Sequence, residues 1–235
     1  MFNSKYSKTL TIVLIVIIVL IIGLLIFMGI DYYRKYYIAA GADDALGQFD
    51  DYVNNVQNNP PVNTTENNEI VENIEPNIDL NQVNNGQTGN NNSNNEDDAP
   101  EYKGYKMIGK IEIPKIDVEY PILAEATPEA LELSICKLFG ADPNEPGNMI
   151  LVGHNFKDGT FFSNNKKLED GDKIYITDLS GTRITYSIYQ KYTTSSSDFD
   201  YAERDTEGKR ELSLSTCTDD TLSRLIIWAK EDWKK

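Results

Sequence analysis

The hydrophobic residues of this chain form one long uninterrupted run and, much later, a series of short alternating runs. Residues 10–30 are 21 residues without a charge, rich in Ile, Leu and Val. At about 1.5 Å per residue, a helix of this length reaches roughly 30 Å, the hydrocarbon thickness of a bilayer. The run is longer than the apolar region of a cleaved signal peptide, and no small-residue cleavage pattern follows it. We therefore predict a transmembrane signal anchor at 10–30, preceded by a short N-terminus at 1–9, with a cleaved signal peptide as the alternative.

The flanks of this run leave its orientation open. Lys5 and Lys8 on one side are matched by Arg34 and Lys35 on the other, so the positive-inside count ties. Four tyrosines follow the run directly and are typical of an aromatic belt at the membrane surface: Tyr32, Tyr33, Tyr36 and Tyr37.

Residues 31–100 have the composition of an acidic, Asn-rich linker. Within them, 54–95 contain 17 Asn and no aromatic residue, so there is little to bury. Segments of this kind are usually disordered. We predict a solvated spacer over 31–100. A prion-like aggregation segment is the alternative, which the carboxylates and prolines oppose.

Short apolar and β-branched runs return from about Tyr102 and predict a folded domain over 101–235. Thr127 followed by Pro128 predicts a helix start, and Gly140 predicts its end after about three turns. Many strands with a single helix indicate a β-barrel or a sandwich. The strands are predicted at 107–113, 149–152, 173–177, 182–191, 211–216 and 222–229.

The charge and the composition exclude several functional classes. The net charge is −15, and the sequence has no cluster of basic residues. Both observations argue against a nucleic-acid partner. One His and two Cys are too few for a Cys/His zinc site or a disulfide scaffold. Scattered carboxylates are simply explained as solvated turns, so we predict neither a metal nor a cofactor.

The last two predicted strands carry candidate chemistry. Because side chains alternate along a strand, Cys217 lies on the face opposite Leu212 and Leu214. If the two strands pair as an antiparallel hairpin, Cys217 lies directly across from Arg224. A guanidinium beside a partly exposed thiol favours the thiolate and can stabilise an oxyanion. A buried structural Cys and a surface Arg are the alternative.

His154 is the chain's single imidazole and follows the apolar run 149–152 and Gly153, at the mouth of a strand. Any Cys/His nucleophilic chemistry must use it, although a purely structural role is the alternative. In papain-like proteases the Cys comes first, whereas here His154 precedes Cys217. The sequence contains no G-x-S-x-G elbow, P-loop or H-E-x-x-H motif.

These segments resemble sortases, the membrane-anchored cysteine transpeptidases of Gram-positive cell surfaces. The resemblance rests on SLSTC at 213–217 with Arg224 in RLIIWAK, on IGKIEIPKIDVEYPI at 108–122, on PGNMILVGHN at 146–155 and on KLEDGDKIYI at 167–176. Ser213 replaces the first Thr of the family's TLxTC motif. The resemblance implies a mainly β fold: a closed eight-stranded barrel with one or two short helices, behind the transmembrane helix and the linker. It also implies a cytoplasmic N-terminus and an extracellular catalytic domain.

The GHN segment followed by KDG and Phe162 resembles class B sortases, and class D remains open because the segment 193–210 is short for the helical insertion of class B.

The resemblance implies roles for the candidate residues. Cys217 would be the nucleophile that forms a thioester with a Thr of the sorting motif of a surface protein, His154 the general acid and base, and Arg224 the group that holds the oxyanion. The acceptor would be an amine of peptidoglycan or of a pilin. The adjacent Thr216, Ser215 and Asn155 are expected to contact substrate. A packing role for Thr216 is the alternative.

Two alternatives differ in function from a transpeptidase. One is a catalytically silent, membrane-tethered β-barrel binding module, which would not need His154, Cys217 and Arg224 together. The other is a thiol hydrolase that uses the same residues with water. The second cysteine, Cys136, is expected to be a buried apolar residue of the predicted helix. A disulfide with Cys217 is its alternative, and that bond would block the nucleophile.

Overall fold

The computed structural model describes residues 4–59 and 99–232, which fold into one long helix and one β-barrel. Helix α1 is Ser4–Asn58, and the short helix α2 is Pro128–Leu131. The strands are β1 Glu101–Tyr102, β2 Tyr105–Ile113, β3 Val118–Leu123, β4 Ile135–Gly140, β5 Gly147–Val152, β6 Lys173–Asp178, β7 Arg183–Ser195, β8 Arg210–Cys217 and β9 Ser223–Glu231. Within the described residues, short 3-10 turns lie at Pro114–Ile116, Asn165–Lys167 and Asp200–Ala202.

Eight of the nine strands close into the predicted barrel. Their order is β2-β3-β4-β5-β8-β9-β7-β6, and β6 pairs again with β2, so the ring has no free edge. Strand β1 pairs with β2 outside this ring. All six strands predicted from the alternating pattern are present, and β3 and β4 complete the barrel. The main core fills its interior with apolar side chains from most strands, including Ile111, Leu151, Ile176, Leu214 and Ile227.

Helix α1 corrects the predicted start of the linker. Residues 31–58 were expected to be disordered, but they continue the helix that contains the apolar run 10–30. The reason is an amphipathic stripe at helical spacing, which lets this part of α1 bury one face on the barrel. Its buried members are Ile38, Ala42, Ala45, Leu46, Phe49 and Val53. The rest of the predicted linker, 60–98, lies outside the described residues.

The predicted helix of three turns is also corrected. Thr127 caps α2 as expected, since its Oγ1 accepts a hydrogen bond from Ala130 N at 3.1 Å, and Pro128 is the first helical residue. The helix then ends at Leu131, and 135–140 form β4. This segment is a strand because it closes the barrel: β4 pairs with β3 on one side and with β5 on the other.

Cys136 therefore lies on β4 and not on a helix. It packs in a second apolar cluster with Phe49, Tyr102, Met107 and Leu123, between α1 and the barrel. Both cysteines are free thiols, so the alternative of a disulfide between Cys136 and Cys217 is wrong for this structure.

Candidate active site

The hairpin of β8 and β9 brings the candidate nucleophile and the candidate guanidinium together. Cys217 and Arg224 are directly opposite each other in the antiparallel register, as the alternation predicted. Arg224 Nη1 donates a hydrogen bond to Cys217 Sγ at 3.1 Å. The turn between them is closed by Thr218, whose N–H donates to Ser223 O at 3.0 Å and whose Oγ1 accepts from Ser223 N at 3.2 Å. Cys217 is partly exposed, unlike the fully buried Cys136.

Parallel pairing of β5 with β8 places His154 beside this hairpin. Val152 lies opposite Ser215 in the register, so the chain leaves β5 next to the end of β8. Thr216 Oγ1 donates to Gly153 O at 2.7 Å and holds the carbonyl immediately before His154. Thr216 is buried, and this hydrogen bond ties β8 to the residue before His154. Its contact with substrate stays a prediction.

His154 has neighbours that sequence reasoning missed. Its Nε2 lies 3.5 Å from Glu132 Oε1, and its ring packs at 4.6 Å, between centroids, on Phe156. The guanidinium of Arg34 lies over the other ring, 3.6 Å from the centroid of Phe156. Glu132 follows α2 and Arg34 belongs to α1, so no local sequence signal connects either residue with His154.

Asn155 supports the backbone at the nucleophile. Its Nδ2 donates to Cys217 O and to Asp219 Oδ1, both at 3.0 Å. Asp219 also accepts a hydrogen bond from Lys166 Nζ at 2.6 Å. The Lys166 hydrogen bond, followed by that of Asn155, lowers the pKa of the Asp219 carboxyl below its ordinary value. Asn155 is thus a hydrogen-bonding link between the His154 and Cys217 segments.

Two cavities meet at the nucleophile. One of about 240 Å³ is lined by His154, Ser215, Cys217 and Arg224, together with the apolar side chains Leu138 and Phe199. The other, of about 210 Å³, is lined by polar side chains that include Asn155, Lys166, Thr193 and Asp219. Thr216 and Cys217 line both. A group bound to Cys217 can therefore be approached from two sides.

The segment that carries Phe199 is fixed to the barrel by the partly buried Arg204. Arg204 donates to Tyr189 OH at 2.6 Å and to Asn148 Oδ1 at 3.0 Å, and it forms an ion pair with the carboxylate of Glu211. Ser213 joins this network, because its hydroxyl donates to Asn148 Oδ1 at 2.9 Å. The hydroxyl at 213 therefore stabilises the segment behind the cavity and does not face the cavity itself.

The second thiol has a different environment from the first. Cys136 is fully buried, and burial raises its pKa to about 12. A thiol of that kind is almost entirely protonated at neutral pH and is a poor nucleophile. Within 9–30, 32–59 and 99–232, no group of three or more His, Cys, Asp or Glu side chains is arranged to hold a metal ion.

Known proteins match the chain across the barrel. The family model described as a sortase domain matches residues 111–232. A protein called Sortase A, from Bacillus anthracis, is 30% identical over 125 residues, which are 52% of this chain and 58% of that protein. The match therefore spans less than two thirds of that relative's length.

Two solved structures have a similar fold. The sortase D5 transpeptidase of Clostridium perfringens is 33% identical, with a TM-score of 0.50, over 55% of this chain and 80% of that chain. Sortase A from Corynebacterium diphtheriae is 26% identical, with a TM-score of 0.51, over 56% of this chain and 63% of that chain. These relatives fall into different classes, so they establish a family and not a class. The class B assignment stays a prediction.

Proposed function

This chain belongs to the sortase family, and from that premise we propose that it is a cysteine transpeptidase of the cell surface. It cleaves a sorting motif near the C-terminus of surface proteins and transfers the acyl group to an amine. The observation that carries the proposal is the 3.1 Å contact between Arg224 Nη1 and Cys217 Sγ, beside the cavity that His154 also lines. A binding module needs no such contact.

In the first step, the thiolate of Cys217 attacks the carbonyl carbon of a Thr in a Pro-containing sorting motif. Arg224 donates hydrogen bonds to the oxyanion that develops on that carbonyl. His154 protonates the nitrogen of the following residue, the C–N bond breaks, and the C-terminal peptide leaves as an amine. A thioester then joins the Thr carbonyl to Cys217 Sγ.

In the second step, an amine of peptidoglycan or of a pilin attacks the thioester carbon. His154 accepts a proton from this amine, the C–S bond breaks, and the thiolate of Cys217 returns. A new amide bond links the surface protein to its acceptor. The second cavity at Cys217 supports a separate second step. If the acyl chain fills one cavity, the amine can still reach the thioester through the other.

The remaining predicted site residues have supporting roles in this proposal. Ser215 and Thr216 line the cavity that would hold the sorting motif, and Asn155 steadies the carbonyl of Cys217. The helix α1 contains a stretch long and apolar enough to cross a membrane. We place the N-terminus in the cytoplasm and the barrel outside, as a single-pass membrane protein.

The test is the intact mass of the full chain in detergent micelles, after incubation with pooled peptides that carry varied Pro-containing, Thr-bearing sorting motifs. The full chain is used because α1 contributes to the apolar cluster around Cys136. We expect an acyl-sized mass increase on the wild type and none on Cys217→Ala. The matched control Cys136→Ala removes the other thiol and should keep the adduct.

Each other outcome has a separate meaning. If the wild type forms no adduct although Cys217 can be alkylated, the transpeptidase proposal is wrong and the binding module is favoured. If the adduct forms but resolves only to the free acid when simple amines are supplied, the chain is a thiol hydrolase. Amide products that increase with the amine concentration support transfer.

A further inference from the structure

The part of α1 that follows the apolar run, residues 31–58, is called the outer part of α1 and runs along the length of the barrel. At one end Arg34 lies over Phe156, and its Nη2 is 3.9 Å from Glu132 Oε2. At the other end Gln57 lies so close to Gly181 that a β-carbon added there would be 2.1 Å from its Nε2. From 34 to 57 an α-helix rises roughly 35 Å, which is enough to connect the two ends.

The end that Arg34 contacts is the end that holds the active site. In the antiparallel pairing of β7 with β9, Thr194 lies opposite Arg224. Arg183, the first residue of β7, therefore lies at the far end of that strand. Gly181 belongs to the turn just before Arg183, so the contact of α1 with this turn marks the end of the barrel opposite the active site.

The apolar run 10–30 thus leaves the barrel on the active-site side. Helix α1 is continuous over Ser4–Asn58, and Arg34 follows Ile30 by four residues, a rise of about 6 Å. The next residue, Lys35, donates from Nζ to Asp158 O at 3.1 Å. Contacts with the segment after His154 therefore begin within about one helical turn of the run.

We propose that the active-site end of the barrel rests on the outer surface of the membrane, with the interfacial region of the lipid bilayer as its partner. This inference rests on the proposed membrane anchor, but it does not depend on catalysis. Two large apolar side chains at this end are more than half exposed: Phe199 is 57% exposed and Leu222 is 73% exposed. Both follow strands that run towards the active site, β7 and β8 respectively. Moving these apolar side chains from water into the interfacial lipid would lower their free energy.

The tyrosines at the start of the outer part of α1 also favour a position at the membrane surface. Tyr32 and Tyr33 are exposed, and the amphipathic rings of tyrosine favour the level of the lipid headgroups. Arg34, which contacts the barrel, follows them directly. A substrate that is itself held in the bilayer would meet Cys217 at the membrane surface.

The test uses the full chain reconstituted in vesicles of phosphatidylcholine with bromine atoms near the headgroup end of the acyl chains. Bromine quenches tryptophan fluorescence only at short range. We compare Leu222→Trp with Lys209→Trp, which adds the probe at the other end of β8, roughly 26 Å away at about 3.3 Å per residue. The fluorescence of the wild type is subtracted, and Phe199→Trp is a second probe at the active-site end.

We expect strong quenching of the added tryptophan at 222 and 199 and retained fluorescence at 209. Equal quenching at both ends, or none at either end, in protein that floats with the vesicles overturns the docking proposal and leaves the membrane anchor intact. Protein that does not float with the vesicles overturns the anchor and the docking together. Neither result bears on the mass test of the thioester, so the failure of each proposal can be recognised separately.

Discussion

Truncating Phe49 tests whether the outer part of α1 belongs to the folded domain. Phe49 is fully buried, and it packs with Met107, Leu123 and Cys136 of the barrel. Removing a buried phenylalanine ring costs about 3–5 kcal/mol, because apolar contacts are lost and a cavity remains. At roughly 2–4 °C per kcal/mol for a domain of this size, Phe49→Ala should lower the Tm by roughly 6–20 °C.

The assay is thermal unfolding of the full chain in detergent micelles, followed by near-ultraviolet circular dichroism. The tertiary packing of the barrel aromatics contributes to this signal, whereas a membrane-spanning helix contributes little. Asn54→Ala is the matched control, because Asn54 lies exposed on the same helix, and its change should stay within about 0.5 kcal/mol. An unchanged Tm in Phe49→Ala would refute the packing of α1 on the barrel. That result would mean that residues 31–58 belong to the linker, and it would remove the support for docking at the membrane.

Four further predictions concern the two cysteines and the residues around Cys217. Iodoacetamide at neutral pH should modify only Cys217 in the folded protein, because burial raises the pKa of Cys136 to about 12, and intact mass should show a second alkylation only after unfolding. Two additions at similar rates in folded protein would contradict that burial. Arg224→Lys keeps the charge but loses the planar guanidinium, so peptide transfer should fall about 100-fold to 1,000-fold. The proposed acid and base role also predicts loss of transfer in His154→Ala. Near-normal transfer in that variant would remove this role from His154. Thr216→Val removes the hydrogen bond that holds the carbonyl before His154 and should cost about 1–3 kcal/mol in the free energy of unfolding. Thr216→Ser should recover most of that loss.

The site combines contacts of short and of long range. The contact of Cys217 with Arg224 needs only one hairpin, so it forms wherever β8 and β9 pair. The place of His154 needs the parallel pairing of β5 with β8. This pairing joins segments that are far apart in the chain. Variants that loosen the barrel without touching the site are therefore expected to separate His154 from Cys217 before they separate Arg224 from Cys217.

Local patterns in the sequence determined much of this protein. Period-two alternation located six strands, and it placed Cys217 opposite Arg224 because the register of a hairpin follows from alternation and a short turn. The pair of Thr127 and Pro128 marked the start of α2, because the cap uses only neighbouring residues. The uncharged run of 10–30 predicted a helix from length and composition alone.

Only the tertiary structure decided the rest. The segment 135–140 has an apolar spacing that suits a helix, yet it is a strand because the barrel needs one between β3 and β5. The stripe of buried residues on α1 is diluted by charges, and its helix is stabilised by a surface that forms from residues far away in the chain. The same packing brings Glu132 to His154, and Arg34 to Glu132 and Phe156. A sequence pattern reports what neighbouring residues favour, whereas these positions are set by contacts between distant segments.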